Sequence, residues 1–368
     1  MPARTLLYLT QVIPEPTGSG LAMRAYQVLK ALSSSFDIYL LVIGRSVRKR
    51  FVSSVLAVCR QIEYVPVMPP DCELLTRLLL YKFRPDLFVK HFSQPVEWGF
   101  ISKKRIQRVS HVFGDRQFDV LHAFRLYTAP FAEPFRSRSG FQQLDLDDID
   151  SETRNSISRI YFDDSEITKA LTNRKEAEIY AALERITLPE WKRVFVCSEP
   201  DKQKLQRMYG HPDVPVLPNV VSIPTVPAKE PGDAFRFLFV GSFYYYPNED
   251  AILYFCERIL PIIRQAVRCV VSVTGGGMSR KLKRRLIRIP EVRITGFLSN
   301  LTQIYSRADA VIAPVRAGGG TRIKILEAFS YQTPVITTSA GIYGIDAQDQ
   351  DHCLIADSPE KIDPKPFL

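Results

Sequence analysis

Two cations and a carboxylate follow a glycine-rich stretch in the C-terminal half of the chain. The run APVRAGGGTRIKILEAF predicts a strand, a turn at Gly318–Gly320 and a helix that carries Arg322, Lys324 and Glu327. The N-terminal end of a helix has partial positive charge, so cations there are unfavourable unless an anion docks beside them. We therefore predict a nucleoside diphosphate here, with its phosphates at the glycines and cations and its ribose on the carboxylate. The alternative is an ordinary strand–turn–helix with a surface arginine and lysine.

Other predicted strands of this half also end in small residues. Gly241 and Ser242 follow FRFLFV and precede a helix that opens near Asn248, Gly276 lies in VTGGG, and Phe297 follows the glycine of ITGFLSN. Glycine after a strand is common turn chemistry, so each signal is weak alone. Parallel strands present their carboxyl ends at one edge, where ligands bind. Several such ends in one domain therefore strengthen the prediction of a ligand site.

The first half contains two weaker candidates. Gly18, Ser19 and Gly20 lie between a strand and a helix in PEPTGSGLAMRAYQ, an arrangement that suits a phosphate but also many structural turns. His122 falls at the end of the apolar strand FDVLHAF and could face a ligand cleft. Its side chain titrates near neutral pH, which suits a catalytic or substrate-positioning role. A lone histidine is also common in packing, and both interpretations stay open here.

An acidic cluster raises the question of a metal site. Asp145, Asp147 and Asp148 in LDLDDIDSE resemble the DxD motif that holds a divalent cation in another architecture of nucleotide-sugar transferases. These aspartates also end a strand and precede a helix, where aspartate caps the helix and interacts with its dipole. We favour the structural role.

The six cysteines form no CxxC pair, which argues against a zinc site and a disulfide framework.

The elements that must position these residues alternate along the chain. Amphipathic segments alternate with short apolar runs such as TLLYLT, DIYLLVI, RVFVCS and VPVLPN, and a similar series starts again at FRFLFVG. This alternation predicts an α/β fold with parallel sheets. A proline-rich stretch separates the two series, so we predict an N-terminal domain over 1–220, a linker over 221–234 and a C-terminal domain over 235–368. A shared ligand would bind in the cleft between them. The helical pattern from Ser151 to Trp191 is expected on the outside of the first domain.

The charge balance favours an anionic partner. The formal net charge is +10, and cations cluster in three basic runs, RSVRKR, KKRIQR and RKLKRR. Such charge suits a nucleic acid, a phosphorylated substrate or an anionic membrane surface. Solvated helix faces are the plainer explanation of the runs. The runs lack the interleaved aromatic residues of nucleic-acid modules, so we expect no nucleic-acid partner. No apolar stretch reaches the length of a membrane span, and MPARTLLYLTQVI is interpreted as a buried first strand, not a signal peptide. We expect a cytoplasmic protein with peripheral contact at the inner face of a membrane.

Several phrases together resemble the retaining glycosyltransferases of family four, which have the GT-B fold. The resemblance covers almost the whole chain and is carried by FVGSFYYYPNEDA, by ITGFLSNLTQIYSRADAVIAPV with the glycine-rich phrase after it, and by the order of VLHAF, VCSEPDKQKL and LPNV before them. It is strongest to bacterial enzymes that add sugars to surface or lipid-linked polysaccharides, which share LDLDD and GGGTRIKILEA. The resemblance implies two Rossmann-like domains, with the donor bound mainly by the second and the acceptor mainly by the first.

The resemblance also implies roles for individual residues. Glu327 would hold the donor ribose, while Phe297 and Leu298 would border the base. Arg322 and Lys324 would hold the diphosphate and stabilise it as it leaves. The other predicted donor-site residues are Gly241, Ser242, Asn248, Gly276, Gly318, Gly319, Gly320 and Thr321, and the predicted turn near phosphate and acceptor is Gly18, Ser19 and Gly20.

The chain departs from the family pattern at four places. Two glutamates eight positions apart are usual, and the first falls here on Gly319. A basic pair usually follows the FVGS strand, but the run here is FYYYPNEDA, so Arg322 and Lys324 must bind more of the diphosphate. The usual His-x-His reads His-Ala-Phe from His122. The chain stops soon after its last predicted strand, where relatives continue with further helices, so we expect a truncated end and looser domain packing.

The predicted reaction is transfer of a sugar from a nucleoside-diphosphate sugar to a hydroxyl, with the anomeric configuration kept. The cations and the helix N-terminus would stabilise the leaving diphosphate, so neither a metal nor a further cofactor is required. The expected partners are the nucleotide-sugar donor and a glycan or lipid-linked acceptor in cell-surface polysaccharide synthesis. Two other functions stay open: a sugar-nucleotide epimerase of the same fold, and a non-catalytic partner in a polysaccharide assembly complex.

Overall fold

Two compact units make up the chain. The structure is a computed structural model that describes residues 4–45, 50–67, 72–91, 94–226, 228–229 and 232–361. The first unit is Met1–Pro218 and the second is Asn219–Leu368. Each unit is built on its own six-stranded parallel sheet.

The N-terminal unit has strand order β3-β2-β1-β4-β5-β6. Its strands are β1 (Arg4–Thr10), β2 (Phe36–Gly44), β3 (Cys59–Pro66), β4 (Phe118–Phe124), β5 (Ser139–Asp147) and β6 (Arg193–Val196). Its helices are α1 (Gly20–Leu32), α2 (Ser53–Leu56), α3 (Cys72–Phe83), α4 (Pro85–His91), α5 (Lys103–Ser110), α6 (Ala129–Arg136), α7 (Asp150–Asp163), α8 (Ile167–Thr187) and α9 (Glu199–Tyr209).

The central strand β1 explains why the apolar runs in the sequence are continuous. Leu7 and Leu9 pack into the hydrophobic cluster on one face of the sheet, while Leu6 and Tyr8 pack into the cluster on the other. A parallel strand covered on both faces must be apolar at every position, not at alternate ones. The TLLYLT run therefore forms the centre of the first core.

The C-terminal unit has strand order β12-β11-β10-β7-β8-β9. Its strands are β7 (Phe235–Val240), β8 (Cys269–Thr274), β9 (Val292–Gly296), β10 (Ala310–Ala313), β11 (Val335–Thr337) and β12 (Leu354–Ile355). Its helices are α10 (Tyr246–Tyr254), α11 (Leu260–Ala266), α12 (Arg280–Leu286), α13 (Thr302–Arg307), α14 (Ile323–Ser330) and α15 (Ser339–Ile342), and a π-helical turn, Phe255–Ile259, joins α10 to α11.

Two local expectations differ from the structure. The run VPVLPN is not a strand, because only Val216 forms an isolated bridge, to Val196, and the flanking Pro215 and Pro218 have no N–H to donate to a ladder. The helical pattern from Ser151 to Trp191 is divided into α7 and α8. The break includes Ser165, whose φ of 61° is left-handed and ends the helical path.

Within the described ranges, no helix is both long enough and apolar enough to cross a membrane.

Candidate functional site

The carboxyl ends of β7, β8 and β9 in the C-terminal sheet are held together through glycine backbones. The Gly241 N–H donates to the Thr274 carbonyl at 3.0 Å, and the Gly275 N–H donates to the Gly296 carbonyl at 2.8 Å. Gly275 has a φ of +146°, and a Cβ there would lie 1.8 Å from the Gly241 carbonyl oxygen. Only glycine fits this position, so the edge forms a small-residue floor at the point where ligands bind in such sheets.

Lys324 projects from the first turn of α14 onto this floor. Its ammonium donates to Asn248 Oδ1 at 2.6 Å and lies 4.7 Å from the centre of the Phe239 ring. Asn248 is fixed in turn, because its amide donates to the Ser242 carbonyl at 2.8 Å. A Cβ at Gly241 would lie 3.1 Å from the Lys324 Nζ. The structure therefore brings together four predicted donor-site residues, Gly241, Ser242, Asn248 and Lys324.

The charge on Lys324 is poorly compensated. The pKa of its ammonium is lowered to about 7, mainly by burial and also by the nearby guanidinium of Arg322, while Glu327 acts in the opposite direction. No carboxylate forms an ion pair with Lys324 among the residues that the structure describes. The first turn of α14 contains no acidic residue either. A desolvated cation at a helix N-terminus without a carboxylate partner is an environment that favours an external anion, as the sequence predicts here.

Arg322 is the N-cap residue of α14 and turns back onto its own loop. Its Nη1 donates to the carbonyls of Gly319 and Gly320, the latter at 2.7 Å, and its Nη2 reaches the Ala340 carbonyl at 3.4 Å. The buried Nε has no hydrogen-bond partner. In this conformation the guanidinium orders the glycine loop, and Lys324 is the cation whose charge faces the strand ends.

Glu327 lies on the same helix as Lys324, next to a stacked pair of tyrosines. The Tyr305 hydroxyl donates to its Oε2 at 3.3 Å, and the rings of Tyr305 and Tyr331 stack with centroids 4.2 Å apart. Burial raises the pKa of the Glu327 carboxyl, while the Tyr305 hydrogen bond and the charge of Lys324 lower it. A carboxylate oxygen is a hydrogen-bond acceptor, so Glu327 could also accept from a ligand hydroxyl, and its role at the donor ribose stays a prediction.

The predicted base-side residues lie at the end of β9. The Phe297 side chain is 64% exposed, and a Cβ at Gly276 would lie 3.9 Å from it. Leu298 is half-buried and lines a groove of about 480 Å³ beside α13. An exposed aromatic ring next to glycine backbone can stack on a planar ligand.

The loop before α14 is held at both of its ends. Thr321 accepts a hydrogen bond from Asn219 at 2.7 Å. The Tyr245 hydroxyl packs against Gly318, where a Cβ would lie 2.6 Å from the hydroxyl oxygen. Gly318 has a φ of +123°.

The sequence did not indicate a partly buried ion pair in this unit. Arg316, in the loop after β10, donates from Nε to Asp250 Oδ2 at 3.0 Å and from Nη2 to the second oxygen. Its guanidinium also lies 4.8 Å from the Tyr254 ring centre. The pair joins the start of the glycine loop to α10. Nothing local in PNEDA or PVRAGGG indicates that these two charges meet.

The predicted turn of the first unit caps a helix. Ser19 is the N-cap of α1, and its hydroxyl accepts from the Ala22 N–H at 3.3 Å. Gly18 has a φ of +119°, a left-handed conformation that favours glycine, and Gly20 begins the helix. All three are exposed, so the turn has both a structural role and N–H groups that face solvent.

His122 lies inside the first sheet, paired in register with Tyr8 and Gln143. It is 1% exposed, its Nδ1 is 2.9 Å from the Gln143 amide, and the Tyr8 ring lies edge-on at 4.8 Å. Burial lowers its pKa to about 3, and the positive charge of Arg24 adds to this effect. The imidazole is therefore neutral and enclosed, as in a packing residue, although its buried Nε2 has no hydrogen-bond partner among the described residues. The catalytic or substrate-positioning role of His122 stays a prediction.

Arginines neutralise the acidic cluster at the end of β5. Asp145 accepts from Arg24 at 3.0 Å and 2.7 Å, and both side chains are buried. Asp147 lies 3.6 Å from Arg24 and from Arg125, and Asp148 forms an ion pair with Arg125. No group of His, Cys, Asp and Glu side chains suited to a metal occurs in the ranges that the structure describes.

Comparison with known proteins finds a family model similar to much of the second unit and solved structures similar in fold. Residues 234–363 match the family model described as Glycosyl transferases group 1. No curated protein matches the sequence.

Solved structures of similar fold cover nearly the whole chain. HepE from Anabaena, in complex with UDP and glucose, is 14% identical with a TM-score of 0.59, covering 97% of this chain and 87% of that one. A variant of S. aureus TarM, in complex with UDP and alpha-GlcNAc-glycerol among others, is 10% identical with a TM-score of 0.61, covering 96% and 90%. WaaG, a glycosyltransferase involved in lipopolysaccharide biosynthesis, is 14% identical with a TM-score of 0.56, covering 92% and 82%. At these identities the likeness concerns the fold, and the predicted GT-B class of two Rossmann-like units is confirmed.

Proposed function

We propose that this chain transfers a sugar from a nucleoside-diphosphate sugar to a hydroxyl group with retention of anomeric configuration, a proposal supported by the match of residues 234–363 to the family model of the group 1 glycosyl transferases. The acceptor is a glycan or a lipid-linked glycan of cell-surface polysaccharide synthesis. HepE and TarM were each solved with UDP and a sugar ligand, and WaaG acts in lipopolysaccharide biosynthesis, which supports this choice of donor and pathway class.

The observation that carries the proposal is the uncompensated charge at the start of α14. Lys324 is desolvated, hydrogen-bonds to a neutral amide and has no carboxylate partner among the described residues. Lys324 lies in the first turn of α14, where the N–H groups lack intrahelical acceptors and the helix dipole favours an anion. A diphosphate supplies the missing negative charge, and it gains charge as the sugar leaves.

In the proposed chemical step, one bond to the anomeric carbon breaks and another forms. The bond to the diphosphate oxygen breaks, and the acceptor oxygen bonds to the same face of the sugar while its proton passes to the departing phosphate oxygen. Lys324 and the N-terminus of α14 stabilise the leaving group, which is where preorganised charge has the largest effect on rate. Neither a metal nor a protein base is assigned to this step. We therefore expect activity to persist in a chelator.

Replacing Glu327 with glutamine is expected to weaken donor binding by about 10- to 100-fold, because a charge-assisted hydrogen bond to the ribose is lost. Turnover at saturating donor should change little, since this contact is made before and during the reaction. Titration calorimetry with a UDP-sugar measures the effect. Glu199→Gln, at an exposed glutamate on α9 that pairs with Lys202, is the matched control. Unchanged donor affinity in the Glu327→Gln variant would contradict the ribose assignment.

A donor panel tests the proposed function. The protein is incubated with UDP-, GDP- and ADP-sugars, with and without a lipid-linked acceptor, and released nucleotide is measured. Release that depends on the acceptor, with an α-linked product from an α-linked donor, is the expected result. Release of nucleotide and an altered free sugar without acceptor identifies an epimerase. The absence of donor binding in calorimetry identifies a non-catalytic partner.

A cytoplasmic location at the inner face of a membrane is part of the proposal. Nucleotide sugars and lipid-linked acceptors meet at that surface, and the chain carries a net charge of +10.

A further inference from the structure

A long segment of the C-terminal unit contains basic residues and no acidic ones. Between Arg258 and Pro290 there is no aspartate or glutamate. The structure describes every residue of this segment, which runs from the π-helical turn through α11, β8 and α12. A segment of this length with charges of one sign produces a positive electrostatic potential, whereas interspersed charges of both signs would largely cancel.

The cations of this segment share one face of the unit. Leu260 and Ile263 of α11 and Leu282 and Leu286 of α12 pack into the same hydrophobic cluster on one side of the sheet. Their helices therefore present their outer surfaces in the same direction. We define the basic face as the exposed cations of these two helices together with Arg258 before α11 and Arg288 after α12: Arg258, Arg264, Arg280, Lys281, Lys283, Arg284, Arg285 and Arg288.

Few carboxylates compensate this face. Glu257 pairs with Arg285 at 2.5 Å, and Glu291 lies 3.6 Å from Arg264. The charge of Arg258 contributes to lowering the pKa of Glu360. Eight cations thus face three carboxylates, and Lys281, Lys283 and Arg284 form no ion pair with any residue that the structure describes. A surface with this excess of positive charge attracts an anionic partner.

We propose that the basic face docks on a bilayer surface rich in anionic phospholipids. Ile287 lies among the cations at the end of α12 with 61% of its surface exposed, so one apolar side chain can enter the headgroup boundary while the cations meet phosphates. No aromatic side chain of the segment is among the exposed large hydrophobic residues, and nucleic-acid surfaces use such rings as stacking platforms. The chemistry therefore fits lipid headgroups better than a nucleic acid.

The basic face is separate from the donor site in the same unit. Lys324 and Glu327 belong to α14, which packs into the cluster on the opposite side of the sheet. Docking through α11 and α12 therefore leaves the carboxyl edge of the sheet accessible. The inference does not depend on the proposed sugar transfer, because binding to vesicles is measured without donor or acceptor.

Vesicle sedimentation with the full chain tests the proposal. The wild-type protein is expected to bind phosphatidylcholine vesicles that contain phosphatidylglycerol, to bind weakly to pure phosphatidylcholine, and to dissociate as salt is raised. The triple variant Lys281→Gln, Lys283→Gln, Arg284→Gln is expected to lose about fivefold in partitioning for each cation, on the order of 100-fold in total. Its circular dichroism and its affinity for a UDP-sugar should match those of the wild type.

A triple variant on the other unit provides the matched control. Lys103→Gln, Lys104→Gln, Arg108→Gln removes the same charge from exposed positions of α5 and should leave vesicle binding within about fivefold of the wild type. Ile287→Ser should weaken vesicle binding without changing retention on a single-stranded oligonucleotide. Equal losses in the two triple variants, equal binding to both vesicle types, or binding to the oligonucleotide alone would each overturn the proposal.

Discussion

Turnover of the nucleotide-sugar donor is expected to fall by about 10²- to 10³-fold when Lys324 is replaced by alanine, because a preorganised charge at the leaving group is removed. The ammonium is positioned by a single amide, Asn248 Oδ1 at 2.6 Å, and no protein carboxylate competes for it among the described residues. The fold should persist, since the change relieves a desolvated charge at a partly buried position. Steady-state kinetics with a UDP-sugar measures the loss. Lys202→Ala, at an exposed lysine on α9, is the control and should retain wild-type rates.

The same lysine predicts a pH dependence of donor affinity. Its pKa is lowered to about 7, so the ammonium is charged below that pH and neutral above it. A diphosphate stabilises the charged form, and above pH 7 the free protein must therefore take up a proton to bind donor. The apparent Kd is expected to rise by about tenfold for each pH unit above about 7. Calorimetry in buffers of different ionisation enthalpy measures both the affinity and the proton uptake.

Asn248→Asp separates this account from a general effect of pH. A carboxylate beside the Lys324 ammonium favours its charged form, so the pH at which affinity declines should move upward. Affinity at low pH should fall, because the new carboxylate competes with the diphosphate. A wild-type donor affinity that is flat from about pH 6 to about pH 9 would remove Lys324 from the diphosphate site.

Asp145→Asn is expected to destabilise the N-terminal unit by about 3–5 kcal/mol. The Arg24 guanidinium and the Asp145 carboxylate are fully enclosed, and loss of one partner leaves an uncompensated buried charge. Both tryptophans, Trp98 and Trp191, lie in this unit, so their fluorescence during urea denaturation reports on it alone. The effect should appear as a lower midpoint with a similar slope.

A double variant is the matched control for this ion pair. Arg24→Met with Asp145→Leu replaces both charges by apolar side chains and should recover much of the lost stability. The alternative role of these aspartates, as ligands of a divalent cation, makes a different prediction. Two results together would contradict the structural role. The wild type would require Mn²⁺ for donor binding, and the Asp145→Asn variant would lose that binding but keep its denaturation midpoint.

Local patterns in the sequence were sufficient for the architecture of both units. Parallel strands covered on both faces contain nearly continuous apolar runs, as in Leu6–Leu9 of β1 and Phe237–Val240 of β7, so the alternation of apolar runs with amphipathic segments predicts the two sheets. The absence of acids around Arg322 and Lys324 likewise indicates an anion site, because helix N-termini ordinarily favour carboxylates. These features depend on residues within one or two turns of each other, and such information is readable from a single chain.

Contacts between distant segments were decided only by the tertiary structure. Lys324 meets Asn248 across 76 residues, and Arg24 meets Asp145 across 121. Both pairings follow from strand order, which places the ends of β7 and β10, and of β1 and β5, near one another, and no local pattern specifies that order. His122 illustrates the limit most clearly: FDVLHAF predicts a strand, but the neighbouring strands enclose the ring. Periodicity and capping are local properties of the chain, whereas burial and the partner of a charge depend on what folds against it.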